Sequence, residues 1–421
     1  MDRGRPTRDV ALLFATRSLR MFGYGFLAVV LVLYLESLGL DGASIGLLLG
    51  LTLLGDAAIS LLLTTRADRF GRRRTLFLGS LLMVGAGIAF ASTDLFPVLL
   101  VAATLGVLSP SGNEVGPFLA IEQASLAQLV DDRSRTSLFA RYQVVGSVAT
   151  AFGSLGAGIV TQAALQAGFV QVDAYRVVIV GYAVIGVAMA FVFPLLSQAV
   201  EVPARSAAPG EVVSAAQPAT RLGLHRSRGI VARLSALFAL DAFGGGFVMQ
   251  GFIAFWLTSQ FGADPAQIGA ILFGANILAA ASALAAGPLA ARFGLIRTMV
   301  FTHLPSNVLL ILVPFMPTLE LATILLFIRF SISQMDVPTR QSYTIAVVDP
   351  DERSAAAGVT GIARSLGVAA SPLIAGPLYL GASFAGAPFV IGGSIKIVYD
   401  LLLYRAFSSV RPPEERRPAS V

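Results

Sequence analysis

The sequence predicts an all-α membrane protein of twelve transmembrane helices, arranged as two six-helix pseudo-symmetric halves. Three observations carry this reading. Of 421 residues, 56% are hydrophobic and only 13% are charged, with a mean hydropathy of +0.78. A soluble chain would carry about twice that charged fraction. Apolar runs recur at lengths of about 20 residues, enough to cross roughly 30 Å of hydrocarbon at about 1.5 Å per helical residue. Finally, the second half of the chain repeats the first at an offset of 221 to 223 residues through most of its length.

Spans are read at 10–37, 43–64, 75–93, 97–128, 136–160 and 174–196, then at 231–258, 266–289, 298–316, 320–346, 354–380 and 384–407. The 42 glycines and 21 prolines are compatible with helical spans, which tolerate both better than soluble helices do. Arg66–Arg74, Arg133 and Arg135, Arg292 and Arg297, and Arg353 fall in alternate loops. The intervening loops carry Glu36, Asp41, Asp94, Asp264 and Glu320, with Arg176 the only clear base. By the positive-inside rule both termini then lie in the cytoplasm, and the chain is expected in the cytoplasmic (inner) membrane. The same placement explains the net charge of +6 without a nucleic-acid partner. The apolar run after Met1–Arg8 is too long for a signal peptide, so those residues read as a cytoplasmic tail. There is no cysteine, and the two histidines, His225 and His303, are too few for a histidine-based metal site. No metal and no cofactor are expected, and no nucleophile–base constellation suggests an enzyme.

Residues 197–230 break the pattern with Pro203, Pro209, Pro218 and four arginines, and read as a polar tether between an N-terminal half (1–196) and a C-terminal half (231–421). The alternative for Arg221–Arg233 is a basic amphipathic helix lying on anionic lipid. Across that tether, Phe22-Gly23-Tyr24-Gly25-Phe26 recurs as Phe243-Gly244-Gly245-Gly246-Phe247. Asp41 to Gly46 recurs as Asp264 to Gly269, and Ala140-Arg141 as Ala363-Arg364. With Arg69-Phe70-Gly71 recurring as Arg292-Phe293-Gly294, four matches in register indicate two like-oriented halves.

The loop Thr65–Arg74 sets five arginines and Asp68 around Gly71. Ala67, Asp68, Arg69, Gly71, Arg72 and Arg73 match the later positions of G-x-L-A-D-R-x-G-R-R, the second-to-third-span motif of the major facilitator superfamily, which the whole chain thereby resembles. Thr64 and Arg66 depart from its first positions. The second copy keeps Gly287, Leu289, Ala290, Arg292 and Gly294, but Ala291 replaces the acid and Leu295 the arginine. The resemblance implies a secondary transporter working by rocker-switch alternating access. Gly71 permits the tight turn. Asp68 is expected to pair across the seam between halves and latch the cytoplasmic side, since acids contribute little to orientation.

Ionisable residues inside spans are costly and should face a cavity or a partner. Arg20 and Asp241 both fall about ten residues into their spans, about 15 Å deep, at equivalent repeat positions and with opposite signs. They read either as cavity residues or as an ion pair joining the halves. Glu114 sits between Ser109-Pro110-Ser111-Gly112 and Pro117, which should break the fourth span, and is parallel to Asp336. Glu114 is the first choice for a proton-coupling residue and Asp336 the next. Arg329 and Lys396 complete the substrate and coupling candidates, and Lys396 is expected to neutralise Asp400 one turn away. Glu122 and Arg340 read as a salt bridge at the cytoplasmic rim. No GxxxxGK[ST] loop is present, so ATP does not drive this chain directly. Drug–proton antiporters of the resembled family carry Gly-Pro in the fifth span; here that stretch has Gly153-Ser154-Leu155-Gly156, and Gly376-Pro377 stands in the eleventh. The expected function is proton-coupled export of a small molecule across the bilayer. Proton-coupled uptake of a metabolite is the alternative, and a lipid scramblase or a non-transporting receptor is the reading from another class.

Overall fold

A computed structural model describes residues 4–130, 132–201, 224–381 and 383–410. The first half holds α1 (Gly4–Ser37), α2 (Gly42–Phe70), α3 (Arg72–Ser92), α4 (Phe96–Leu105), α5 (Phe118–Leu129), α6 (Asp132–Gln166) and α7 (Gln171–Val192). The second holds α8 (Arg228–Gly246), α9 (Gln250–Phe261), α10 (Pro265–Phe293), α11 (Leu295–Leu312), α12 (Leu319–Ser333), α13 (Asp336–Ala346), α14 (Arg353–Ala370), α15 (Pro372–Gly381) and α16 (Ala387–Phe407). These sixteen helices make twelve crossings, because the fourth, seventh, tenth and eleventh are each built from two pieces. Eleven crossings are long and apolar enough on their own; the fourth is interrupted between Leu105 and Phe118, as its prolines and glycines require.

The repeat explains several helix ends. Asp41 caps α2 by accepting the Ser44 N–H at 2.8 Å, and the Ser44 hydrogen bonds hold its carboxyl below the usual range. Asp264 caps α10 in the same way from Gln267, which reciprocates at 3.0 Å. The predicted basic loop is almost entirely helical: Arg66 and Arg69 end α2, Arg72–Arg74 begin α3, and Gly71 alone turns the chain with φ 103°. Gly294 repeats that turn with φ 87°. The halves differ at the glycine pairs of their first spans. α1 runs unbroken through Gly23-Tyr24-Gly25, whereas the triple Gly244–Gly246 ends α8 and a new helix starts at Gln250. Each such glycine weakens a helix by about 1 kcal/mol relative to alanine.

Of the predicted tether, 202–223 lies outside the described residues, including Arg221. Ser197 N donates to Asp9 at 2.9 Å, and a single turn, Gln198–Val200, follows, so the tether's first residues dock on the first half. Arg228 and Arg233 belong to α8 and therefore to the seventh span, not to a surface helix.

The halves meet at the end that bears the acidic loops. A Cβ added at Gly42 would lie 2.4 Å from Gly376 O, one at Gly46 2.2 Å from Pro372 O, and one at Gly158 2.4 Å from Pro265 O. Only bare backbone permits such approach. The seam thus runs along spans 2 and 11 and along spans 5 and 8. Toward the basic loops no described glycine brings the same helices of the two halves together, and Cβ atoms added at Gly287, Gly358 and Gly361 would meet nothing within 4 Å. The molecule is closed at the acidic-loop end and open at the basic-loop end.

Candidate functional site

Two buried polar clusters stand in the interior, one in each half. In the first, α1 presents Arg17 and Arg20 three residues apart, hence on one face. Arg17 donates to Glu114 at 2.6 Å, to the Tyr142 carbonyl at 2.8 Å and to Gln143 at 2.9 Å. Arg20 donates to the other oxygen of Glu114 at 2.8 Å and grips Glu122 with two bonds of 2.7 and 2.6 Å. The Tyr142 hydroxyl also donates to Glu122. Arg20 lies over the Phe118 ring, 4.6 Å from its centre. The break before α5 lets Glu114 leave a helical path and reach both arginines. Its side chain is 15% exposed, while Arg17, Arg20 and Glu122 are fully buried.

The second cluster has inverted polarity. Asp241 on α8 receives Lys396 at 2.5 Å and Arg340 and Arg364 each at 3.1 Å. Arg340 also binds Asp336 at 2.8 Å. Behind them His303 and Asn307 of α11 hold Asp400 at 2.8 and 2.9 Å. Arg364, 34% exposed, is the member with most access to solvent. Each cluster brings as many carboxylates as guanidinium and ammonium groups, so burial leaves no uncompensated charge.

These contacts correct three expectations, and Asp68 is seen with the seam apart. Arg20 and Asp241 do not pair with each other; each is satisfied within its own half. An ion pair across the seam would have to break whenever the halves separate, whereas pairs inside one half persist. Lys396 binds Asp241 rather than Asp400, because its longer side chain reaches α8 while Asp400 faces α11. Glu122 and Arg340 are buried partners of Arg20 and of Asp241 and Asp336, not a pair at the rim. Asp68 pairs with Arg72 one turn on, at 2.9 Å, and at 64% exposure reaches nothing across the seam, which is open at that end. Arg329 is 7% exposed, over the Phe330 ring at 4.7 Å, and its Nε has no acceptor among the described residues.

Around the motif, Arg69 and Arg292 are exposed at the ends of α2 and α10, Arg72 is buried, and Arg73 donates to the Pro194 carbonyl. Sequence reading missed Glu201, which caps α3 by accepting the backbone N–H of Arg72 at 2.7 Å and of Arg73 at 3.2 Å. It also missed Glu352, which accepts the backbone N–H groups of His225, Arg226 and Ser227. The two edges of the tether are thus anchored on different halves. Between the halves, Gln250 at the α8–α9 break donates to Asn276 at 2.6 Å, Asn276 donates to Ser154 at 3.3 Å, and Gly251 N donates to Pro110 O at 3.3 Å. Neutral polar side chains at a helix break carry little signal in a sequence; the Arg17–Arg20 spacing does.

Comparisons with known proteins agree with this architecture. Residues 13–259 and 234–421 each match the sequence profile of the Major Facilitator Superfamily. A Saccharomyces cerevisiae protein named "Uncharacterized membrane protein YJR124C" is 30% identical over 426 residues, covering 96% of this chain and 95% of the relative. The quinolone resistance protein NorA of Staphylococcus aureus is 30% identical over 102 residues, 24% of this chain and 26% of that protein. Among solved structures, a point mutant of the nucleoside transporter NupG superposes with a TM-score of 0.72 at 14% identity, over 95% of this chain and all of the other. A D-xylose-proton symporter gives 0.70 at 16% identity over 94% and 97%, and a bacterial homologue of Spinster, inward-facing and occupied, gives 0.71 at 16% over both whole chains. With two paired-charge interiors, a glycine seam closed at one end and a family match along its length, this chain belongs to the Major Facilitator Superfamily, whose members are membrane transporters and not enzymes.

Proposed function

We propose that this transporter exports a small molecule in exchange for protons by rocker-switch alternating access, with its basic loops and both termini in the cytoplasm. The observation that carries this reading is the separation of the charged clusters by half. Each charged cluster is paired within one half (1–196 or 231–421), and the halves touch through glycine backbone, apolar packing such as Phe152 on Phe273 and a few neutral hydrogen bonds, so they can rock without parting a buried ion pair. Glu114 and Arg364, the most exposed members of the two clusters, face the path, with Arg20, Asp241, Asp336 and Lys396 paired behind them; Arg329 supplies a further cation, and Glu114 is the first-half group whose arginine contacts respond to substrate and proton. Asp68, Arg69, Gly71, Arg72 and Arg73, with Arg292 and Gly294, form the turns that latch the cytoplasmic end when it closes. The partial match to NorA supports export, while the likeness to a proton symporter extends to the fold alone.

The test is a ligand-stabilisation screen on purified protein, followed by flux of each hit in liposomes under an imposed pH gradient. Export by antiport requires substrate and protons to move in opposite directions. Movement in the same direction replaces it with uptake, lipid movement without a gradient with scrambling, and binding without flux with a receptor.

A further inference from the structure

Asp56 is a carboxylate in the membrane interior that the paired clusters leave out. It is the fifteenth of the 29 residues of α2 and so at that helix's midpoint, half-buried, with no arginine, lysine or histidine within ion-pair distance among the described residues. Glu114, Glu122, Asp241, Asp336 and Asp400 all have such a partner. What Asp56 has instead is backbone: Oδ1 accepts the N–H of Gly116 at 2.6 Å, and the Ser60 hydroxyl at 3.5 Å. Gly116, with φ 81°, belongs to the unwound stretch of the fourth span, two residues after Glu114. Gly55, against Thr104 O, lets α2 close onto the end of α4 and sets Asp56 beside that stretch. The same helix carries the seam glycines Gly42 and Gly46 at one end and Asp68 at the other.

We propose that Asp56 is a proton-binding site of this transporter and that its protonation is read by the broken fourth span. Ionised, Asp56 makes a charge-assisted bond that holds the Gly116 peptide to α2. Protonated, it becomes a weaker acceptor and stops repelling Glu114, so the unwound stretch and the arginines bound to Glu114 are released from α2. Around it, Glu114, Tyr24 on α1 and Tyr182 on α7 are the titratable groups that feel its charge. α4 has no ionisable side chain, and α15 has only Tyr379, stacked on Phe252. On α14, Arg364 is held by Asp241; on α5, Glu122 is held by Arg20; and α3 carries only its terminal arginines.

The inference rests on the alternating-access reading, yet its test needs no substrate. Purified wild type and Asp56→Asn are titrated between about pH 5 and pH 9 with an indicator dye, and the variant should take up about one proton fewer per chain. In parallel, Gly361→Cys, placed in open space in this cysteine-free chain, is introduced into both proteins and labelled with a membrane-impermeant maleimide. The ratio of the two labelling rates, wild type over Asp56→Asn, should change at least about threefold across that range. Equal proton uptake, or a ratio that does not vary with pH, overturns the proposal. Should Asp56→Asn fail to fold, Asp56→Glu keeps a titrating group on a longer side chain, and an unchanged midpoint of the labelling profile would overturn it equally. Absence of flux in the liposome assay bears on transport alone and leaves the titration result standing.

Discussion

Gly46→Ala is the sharpest probe of the closed seam. The added Cβ would lie 2.2 Å from Pro372 O and 3.1 Å from its carbonyl carbon, where ordinary contact begins near 3.4 Å, so α2 and α15 would have to part by about 1 Å. Overpacking of this kind costs about 1–3 kcal/mol. Elsewhere in a helix the same substitution favours folding by about 1 kcal/mol, so the two effects have opposite signs. The clash exists only when the acidic-loop end is closed; in the opposite state the helices separate and the methyl group is free. At about 1.4 kcal/mol per factor of ten, the ratio of the state open at the basic-loop end to its opposite should fall about tenfold. Maleimide labelling of the Gly361→Cys reporter should slow by up to that factor, with the melting temperature near wild type or higher. Unchanged labelling together with an unchanged melting temperature would refute the backbone contact.

Other perturbations follow from the same geometry. Glu122→Gln leaves Arg20 buried beside one carboxylate and should destabilise by about 3–5 kcal/mol, read as a lower melting temperature in detergent. Asp241→Asn strands Lys396, Arg340 and Arg364 together; adding Lys396→Met should recover part of the loss, and strict additivity of the two substitutions would argue against their contact. Asp68→Asn removes an exposed pair worth about 0–1 kcal/mol, so expression and melting should stay near wild type while transport slows severely. Wild-type transport in that variant would remove its latching role. Glu201→Ala strips two N–H partners from the start of α3 and should cost about 1 kcal/mol, measurable as a fall in melting temperature.

Much of the fold was legible because the bilayer constrains it. Span length, the alternation of basic and acidic loops and the repeat of Asp41 in Asp264 are one-dimensional signals, and each corresponds to a helix or a cap. The break in the fourth span was readable from Ser109-Pro110-Ser111-Gly112. The broken seventh span was not, since glycine in a membrane helix is as often a packing residue as a breaker: Gly23 and Gly25 stay helical where Gly244–Gly246 do not. The candidate residues were found as charges in apolar surroundings. Their partners were not, because ion pairing depends on which faces of separate helices meet.

The Arg66–Arg74 stretch shows the division. By itself the sequence determined that it joins two spans outside the hydrocarbon, since that many charges cannot enter it, and that Gly71 turns the chain; that the arginines on either side of Gly71 are helical was not legible. It also determined the count and order of spans and the family. Only the tertiary structure decided that Asp68 turns to Arg72, that Glu201 caps the next helix, that Arg20 and Asp241 belong to separate clusters, and that Asp56 holds Gly116. The physical reason is that hydrophobicity and chain length act along the sequence, whereas pairing of charges is settled by distances of a few ångströms between helices that the sequence does not order in space.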